Sequence, residues 1–232
     1  MMDKGILYGI GVGPGDPELL TTKAVRLLQE ADIIAVPDKG SGEKTALNIV
    51  KDYIVGKELL YCSTPMTRDA QLLDAGYTAA AEELCALLEQ GKTVAFITLG
   101  DPTVYSTYIY IHKKVVTKGY QAQIIPGVTS FCAVAARLGR SLCEGSERLM
   151  IVPASHKEVD DCLQVDANFV FMKAGREIGA LKEKLSAYDL LDGAAMVENC
   201  SMETERVYED FAKLEQPSGY FSVVLVKGGQ TQ

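Results

Sequence analysis

Apolar residues recur along the chain in two rhythms, and the alternation between them sets the expected architecture. Short apolar stretches at 6–12, 32–36, 58–62, 94–99 and 121–125 predict strands, with the continuous run at 94–99 covered on both faces. Between them the spacing changes to that of helices. Leu19, Leu20, Ala24, Val25, Leu27, Leu28 and Ala31 share one face of a helix over 18–31, with Asp16 as its cap and Pro17 in its first turn. Residues 44–54 are helical in character. Leu72, Leu73, Tyr77, Ala80, Leu84, Leu87 and Leu88 mark a long helix over 70–90, and further helices are expected over 105–118 and 131–138.

The second half has a different layout. Strands are expected at 148–153, 169–173, 193–198 and 220–226, with helices at 157–163 and 176–188 between the first three. Residues 199–218 form a turn-rich approach to the last strand. The pattern predicts an α/β protein of two domains, residues 1–126 with a mainly parallel sheet and residues 127–232 with a mixed one.

Three strand ends carry unusual corners. The first is Gly9-Ile10-Gly11-Val12-Gly13-Pro14-Gly15-Asp16-Pro17, the second Leu99-Gly100-Asp101-Pro102-Thr103-Val104-Tyr105-Ser106, and the third Pro126-Gly127-Val128-Thr129-Ser130. In the first, the dinucleotide spacing Gly-x-Gly-x-x-Gly fails, because counting from Gly9 ends on Pro14 and counting from Gly11 ends on Asp16. A carboxylate is also misplaced in a phosphate cradle. In the second, Asp101 followed by Pro102 reads as a helix start, so Asp101 is either a cap or a ligand contact. Ligands in open α/β sheets bind beyond the carboxyl ends of strands, and three such loops together indicate a small-molecule crevice.

Charge and cysteine content remove several classes of function. With 23 Lys plus Arg against 31 Asp plus Glu, the net charge is −8, so a nucleic-acid partner is not expected. No apolar run reaches the ~20 residues of a membrane span, and the N-terminus leads directly into a strand rather than a cleavable signal. A soluble, cytoplasmic protein without a membrane partner is the expectation. The six cysteines are scattered without a Cys-x-x-Cys pair, and His112 and His156 stand apart, so no metal site is expected.

The three corners also carry a resemblance. The residues 9–21, Gly100-Asp101-Pro102 and Pro126-Gly127-Val128-Thr129-Ser130 resemble the signature motifs of the tetrapyrrole methylases, which use S-adenosylmethionine, and the likeness extends over nearly the whole chain. Residues 65–69, 98–107 and 130–138 are most similar to the branch that methylates carbon 20 of precorrin-2 or cobalt-factor II in cobalamin biosynthesis. The resemblance implies the class III S-adenosylmethionine methyltransferase fold, two α/β domains with the active site in the cleft between them, and a homodimer. It places Pro14, Leu99, Gly100, Asp101, Val104, Thr129, Ser130, Met172 and Cys200 at the methyl donor, with Cys200 standing where the family often has glycine. It places Gly13, Arg68, Tyr105 and Ser106 on the tetrapyrrole side.

The resemblance identifies no catalytic acid or base. An electrophilic sulfonium and an electron-rich ring carbon need alignment and exclusion of water more than a strong base. Because the acceptor is a polycarboxylate, a local basic rim of Arg68, Arg137 and Arg140 is expected on this acidic chain. The alternatives are a relative acting at another ring position or acceptor, and a non-catalytic tetrapyrrole-binding protein.

Overall fold

The computed structural model describes residues 4–38, 40, 44–65, 67, 69–175, 177–215 and 219–228. The chain divides into two compact units, Met1–Thr129 and Ser130–Gln232.

In the first unit, β1 (Ile6–Gly11), α1 (Thr22–Glu30), β2 (Ile33–Asp38), α2 (Thr45–Val50), β3 (Glu58–Ser63), α3 (Ala70–Glu89), β4 (Val94–Thr98), α4 (Tyr108–Thr117) and β5 (Gln121–Ile125) alternate strand and helix. The sheet order is β3-β2-β4-β1-β5, with every pairing parallel. Parallel strands need crossovers, and helices on both faces bury both sides of the central strands. The continuous apolar run of β4 follows from this. Ala95 and Ile97 join the core beneath α1 and α2, while Val94 and Phe96 join the core beneath α3 and α4.

The second unit contains α5 (Ser130–Arg137), β6 (Leu149–Pro153), α6 (Val159–Leu163), β7 (Asn168–Met172), α7 (Ile178–Ala187), β8 (Ala194–Glu198), β9 (Arg206–Tyr208) and β10 (Ser222–Val226). Its sheet order is β6-β7-β10-β8-β9, parallel between β6 and β7 and antiparallel elsewhere. Phe169, Phe171, Leu181, Leu185, Met196, Phe211 and Val224 form its core.

Three local readings of the sequence need correction. The helix expected over 18–31 is split. Asp16 accepts the Glu18 N–H at 2.8 Å and caps only a 3₁₀ turn, Pro17–Leu19, after which Leu20 is extended and Thr21 recaps α1 through the Ala24 N–H at 3.1 Å. The helix expected from residue 105 begins at Tyr108, because Asp101 is engaged elsewhere. The stretch at 206–208 is the edge strand β9, paired with β8. Among the described residues, no helix is long and apolar enough to cross a membrane.

Candidate functional site

Because β4, β1 and β5 are adjacent and parallel, their carboxyl ends deliver all three corners to one edge of the first sheet. The corners then touch through backbone. Gly13 and Gly100 exchange two hydrogen bonds, Gly13 N–H to Gly100 O at 3.3 Å and Gly100 N–H to Gly13 O at 2.7 Å, both with positive φ of 76° and 69°. A Cβ on Gly11 would lie 2.6 Å from Gly100 O and from Gly127 N, and one on Gly127 would lie 2.3 Å from Gly100 O. Backbone atoms cannot move aside at those distances, so the close approach itself requires glycine.

Asp101 ties two of these corners together. Its Oδ1 accepts the Thr103 N–H at 2.7 Å and the Thr103 hydroxyl, and its Oδ2 accepts the Gly127 N–H at 3.0 Å. The side chain is a tertiary clasp rather than a helix cap. With only 8% of the residue exposed, both oxygens are satisfied from within the unit.

Around this clasp the expected residues take different positions. Gly13, Pro14 and Gly100 are buried in the turn, while Leu99 and Val104 are half-buried beside it. Tyr105 holds a positive φ of 48° and is 47% exposed. Ser106 turns inward: its hydroxyl lies 2.9 Å from Thr98 Oγ1 and accepts the Tyr108 N–H at 3.2 Å, which starts α4. Thr129 Oγ1 is buried without a hydrogen-bond partner, the one such side-chain atom among the described residues. Arg68 lies outside the described residues. Its neighbour Asp69 caps α3 by accepting from Gln71 N–H at 2.8 Å and Leu72 N–H at 3.2 Å.

The second unit gathers its own expected residues at one sheet edge. β6, β7 and β8 all end there, and Met172 and Val197 flank Val223 of β10 on either side. Lys173, Asn199 and Ser201 adopt φ of 58°, 50° and 65° at this edge. Left-handed backbone at non-glycine residues is costly and tends to collect where ligands are clamped. Cys200 is buried between two of these residues, with Sγ 3.7 Å from Ser201 Oγ, and burial pushes its thiol above the ordinary value. Ser130 opens α5, which packs against β10.

Two members of the expected basic rim are committed to other partners. Arg137 Nε donates to Glu205 Oε1 at 2.5 Å, and Arg140 Nη2 donates to the Glu209 carbonyl at 3.3 Å. The sequence reading missed Glu205 entirely. Its partner lies 68 residues away, and no periodicity links positions so distant.

The arrangement supplies close backbone surfaces and one orphaned hydroxyl, without an activated thiolate among the shifted cysteines. Burial pushes Cys62 up to about 12 and raises Cys85 and Cys200 as well. Among the described residues no group of three or more His, Cys, Asp or Glu is placed to hold a metal ion.

The sequence profile of the tetrapyrrole (corrin/porphyrin) methylases matches residues 6–215. The chain belongs to this family. Among curated tetrapyrrole methylases it is 34% identical to the cobalt-precorrin-2 C(20)-methyltransferase of Salmonella typhimurium, covering 96% of each chain. It is 35% identical to a probable cobalt-precorrin-2 C(20)-methyltransferase of Methanocaldococcus jannaschii, covering 95% of each. It is also 34% identical to the cobalamin biosynthesis protein CobIJ of Mycobacterium tuberculosis, covering 99% of this chain but spanning only 47% of that protein's length.

Solved structures share the fold. A cobalt precorrin-4 methyltransferase superposes with a TM-score of 0.76 at 19% identity, covering 95% of this chain and 94% of the other. A uroporphyrin-III C-methyltransferase from Thermus thermophilus, complexed with S-adenosyl homocysteine, superposes with a TM-score of 0.71 at 20% identity, covering 95% and 97%. The class III S-adenosylmethionine methyltransferase fold of the tetrapyrrole methylases is therefore the fold of this chain.

Proposed function

We propose that the chain transfers a methyl group from S-adenosylmethionine to carbon 20 of precorrin-2 or cobalt-factor II in cobalamin biosynthesis. The observation that carries this reading is the end-to-end similarity to a C(20)-methyltransferase, 34% over 96% of both chains. In the same reading the enzyme works as a cytoplasmic homodimer, residues 1–126 supply the substrate trough, and residues 127–232 supply the donor-binding half.

The residues present fit a nucleoside-containing donor. Thr129 Oγ1 is a buried polar atom lacking a protein partner, and the side of Gly100 where a Cβ would stand is open. Both features suit a ligand that packs on backbone and completes a hydrogen bond. Pro14, Leu99, Gly100 and Val104 are assigned to the donor from residues 1–126, and Thr129, Ser130, Met172 and Cys200 from residues 127–232. Gly13, Arg68 and Tyr105 are assigned to the acceptor.

Bound donor supplies an electrophilic methyl on a sulfonium. The protein's own task is to orient and to exclude water, for which a rigid backbone frame is suited. Asp101 serves by fixing the second and third corners, with both carboxylate oxygens already accepting. Ser106 is reassigned from acceptor contact to support, since its hydroxyl joins Thr98 to the start of α4. Cys200 is assigned a packing contact, because its side chain is buried.

Calorimetric titration with S-adenosylmethionine separates this reading from a tetrapyrrole carrier. One donor bound per chain is expected. Tight tetrapyrrole binding without any donor binding would overturn the enzyme reading.

A further inference from the structure

In the second unit, one carboxylate holds the loop that follows β8. Asn199 and Ser201, on either side of Cys200, both sit in left-handed backbone with φ of 50° and 65°. Left-handed backbone is disfavoured for a residue such as Ser201 and persists only where surrounding contacts impose it. Among the contacts that hold this loop, the one to Ser201 comes from Glu205. Its Oε2 accepts the Ser201 N–H at 2.8 Å, and its Oε1 accepts Arg137 Nε at 2.5 Å. Its own N–H donates to Met202 O at 3.0 Å, and the Met202 N–H donates to Asn199 O at 3.0 Å. Asn199 Nδ2 adds a bond to Thr204 Oγ1 at 3.0 Å.

The anchor at the far end is equally specific. Arg137 is in the last turn of α5, the helix that Ser130 opens. The pair Arg137–Glu205 therefore connects the helix carrying one proposed donor contact to the loop carrying another. As a stability device the pair is weak, since the Arg137 side chain is 53% exposed and such pairs contribute little. The Glu205 side chain is 20% exposed, and its second oxygen is spent on a strained backbone N–H. That division of labour fits a part whose value is geometric.

We propose that Glu205 is a positioning residue for donor binding, which acts by fixing the Asn199–Ser201 backbone relative to α5 through Arg137. The proposal rests on the donor assignment made above. Its consequence is that removing the carboxylate loosens donor affinity while leaving the saturated rate of transfer nearly unchanged.

The test is calorimetric binding of S-adenosylhomocysteine to the full chain, which needs no acceptor. Glu205→Ala is expected to weaken binding about tenfold, and Arg137→Ala, which removes one anchor, about threefold. Glu205→Gln keeps an oxygen for the Ser201 N–H and is expected to fall between wild type and Glu205→Ala. The exposed neighbour variant Glu203→Ala is expected to bind as wild type. With acceptor present, the donor KM should rise in Glu205→Ala with kcat little changed. Folded Glu205→Ala with wild-type affinity overturns the proposal. If Glu205→Ala does not fold, wild-type affinity in Arg137→Ala overturns it instead. A wild-type chain that binds no S-adenosylhomocysteine defeats the donor assignment itself, a result distinct from loss of the Glu205 effect alone.

Discussion

Asp101 Oδ2 accepts the Gly127 N–H at 3.0 Å, so a side chain in the loop after β4 is fastened to the loop after β5. Its other oxygen is held by the Thr103 N–H at 2.7 Å. Asp101→Asn replaces one of the two acceptors with a donor. Facing either N–H, that amide leaves one donor of the clasp unsatisfied, at a cost of about 1 kcal/mol. Urea denaturation should register the loss, and calorimetry should show weaker donor binding in the same variant. Unchanged stability and affinity would show that the Asp101 carboxylate does not hold the two loops together.

The glycines of the corners make a steric prediction. A Cβ at Gly127 would stand 2.3 Å from Gly100 O, where only backbone could yield. Gly127→Ala is expected to destabilise by about 3 kcal/mol or more. Gly56→Ala provides the comparison: its φ is 77° but nothing lies within 4 Å, so only the conformational cost of about 1 kcal/mol is expected. Thermal denaturation of the two variants should rank them in that order.

Tyr108 and His112 supply a pH prediction. The Tyr108 hydroxyl lies 3.0 Å from His112 Nδ1, and burial holds the imidazole below its ordinary value of 6.5. A folded value below the unfolded one means that the unfolded state binds the proton more readily. The contribution is complete above about pH 6.5 and is lost as pH falls through the lowered folded value. Urea midpoints measured from pH 7.5 down to 5.5 should decline, and His112→Gln should flatten that decline.

Much of this architecture is legible in the sequence because it follows from local rules. Residues 94–98 form a strand buried on both faces, 121–125 an edge strand whose exposure alternates, and 70–89 a helix with one buried stripe, and each pattern is written into periodicity. What failed was decided by distant contacts. Asp101-Pro102 has the composition of a helix start, yet Gly127 claims the carboxylate and α4 begins only at Tyr108. β9 is three residues long and exists because β8 offers it an edge, so Arg206-Val207-Tyr208 carries too little pattern to announce it. Arg137 and Arg140 read as cations awaiting an anionic ligand, because Glu205 and the Glu209 carbonyl meet them only in the folded chain.

The proposed function requires methyl transfer to carbon 20. The direct measurement is an anaerobic reaction with methyl-labelled S-adenosylmethionine, offering metal-free precorrin-2 and cobalt-factor II in parallel and locating the label in each product. One labelled methyl at carbon 20 of at least one of the two is expected. Label at a different ring carbon, or no transfer to either acceptor, would contradict it.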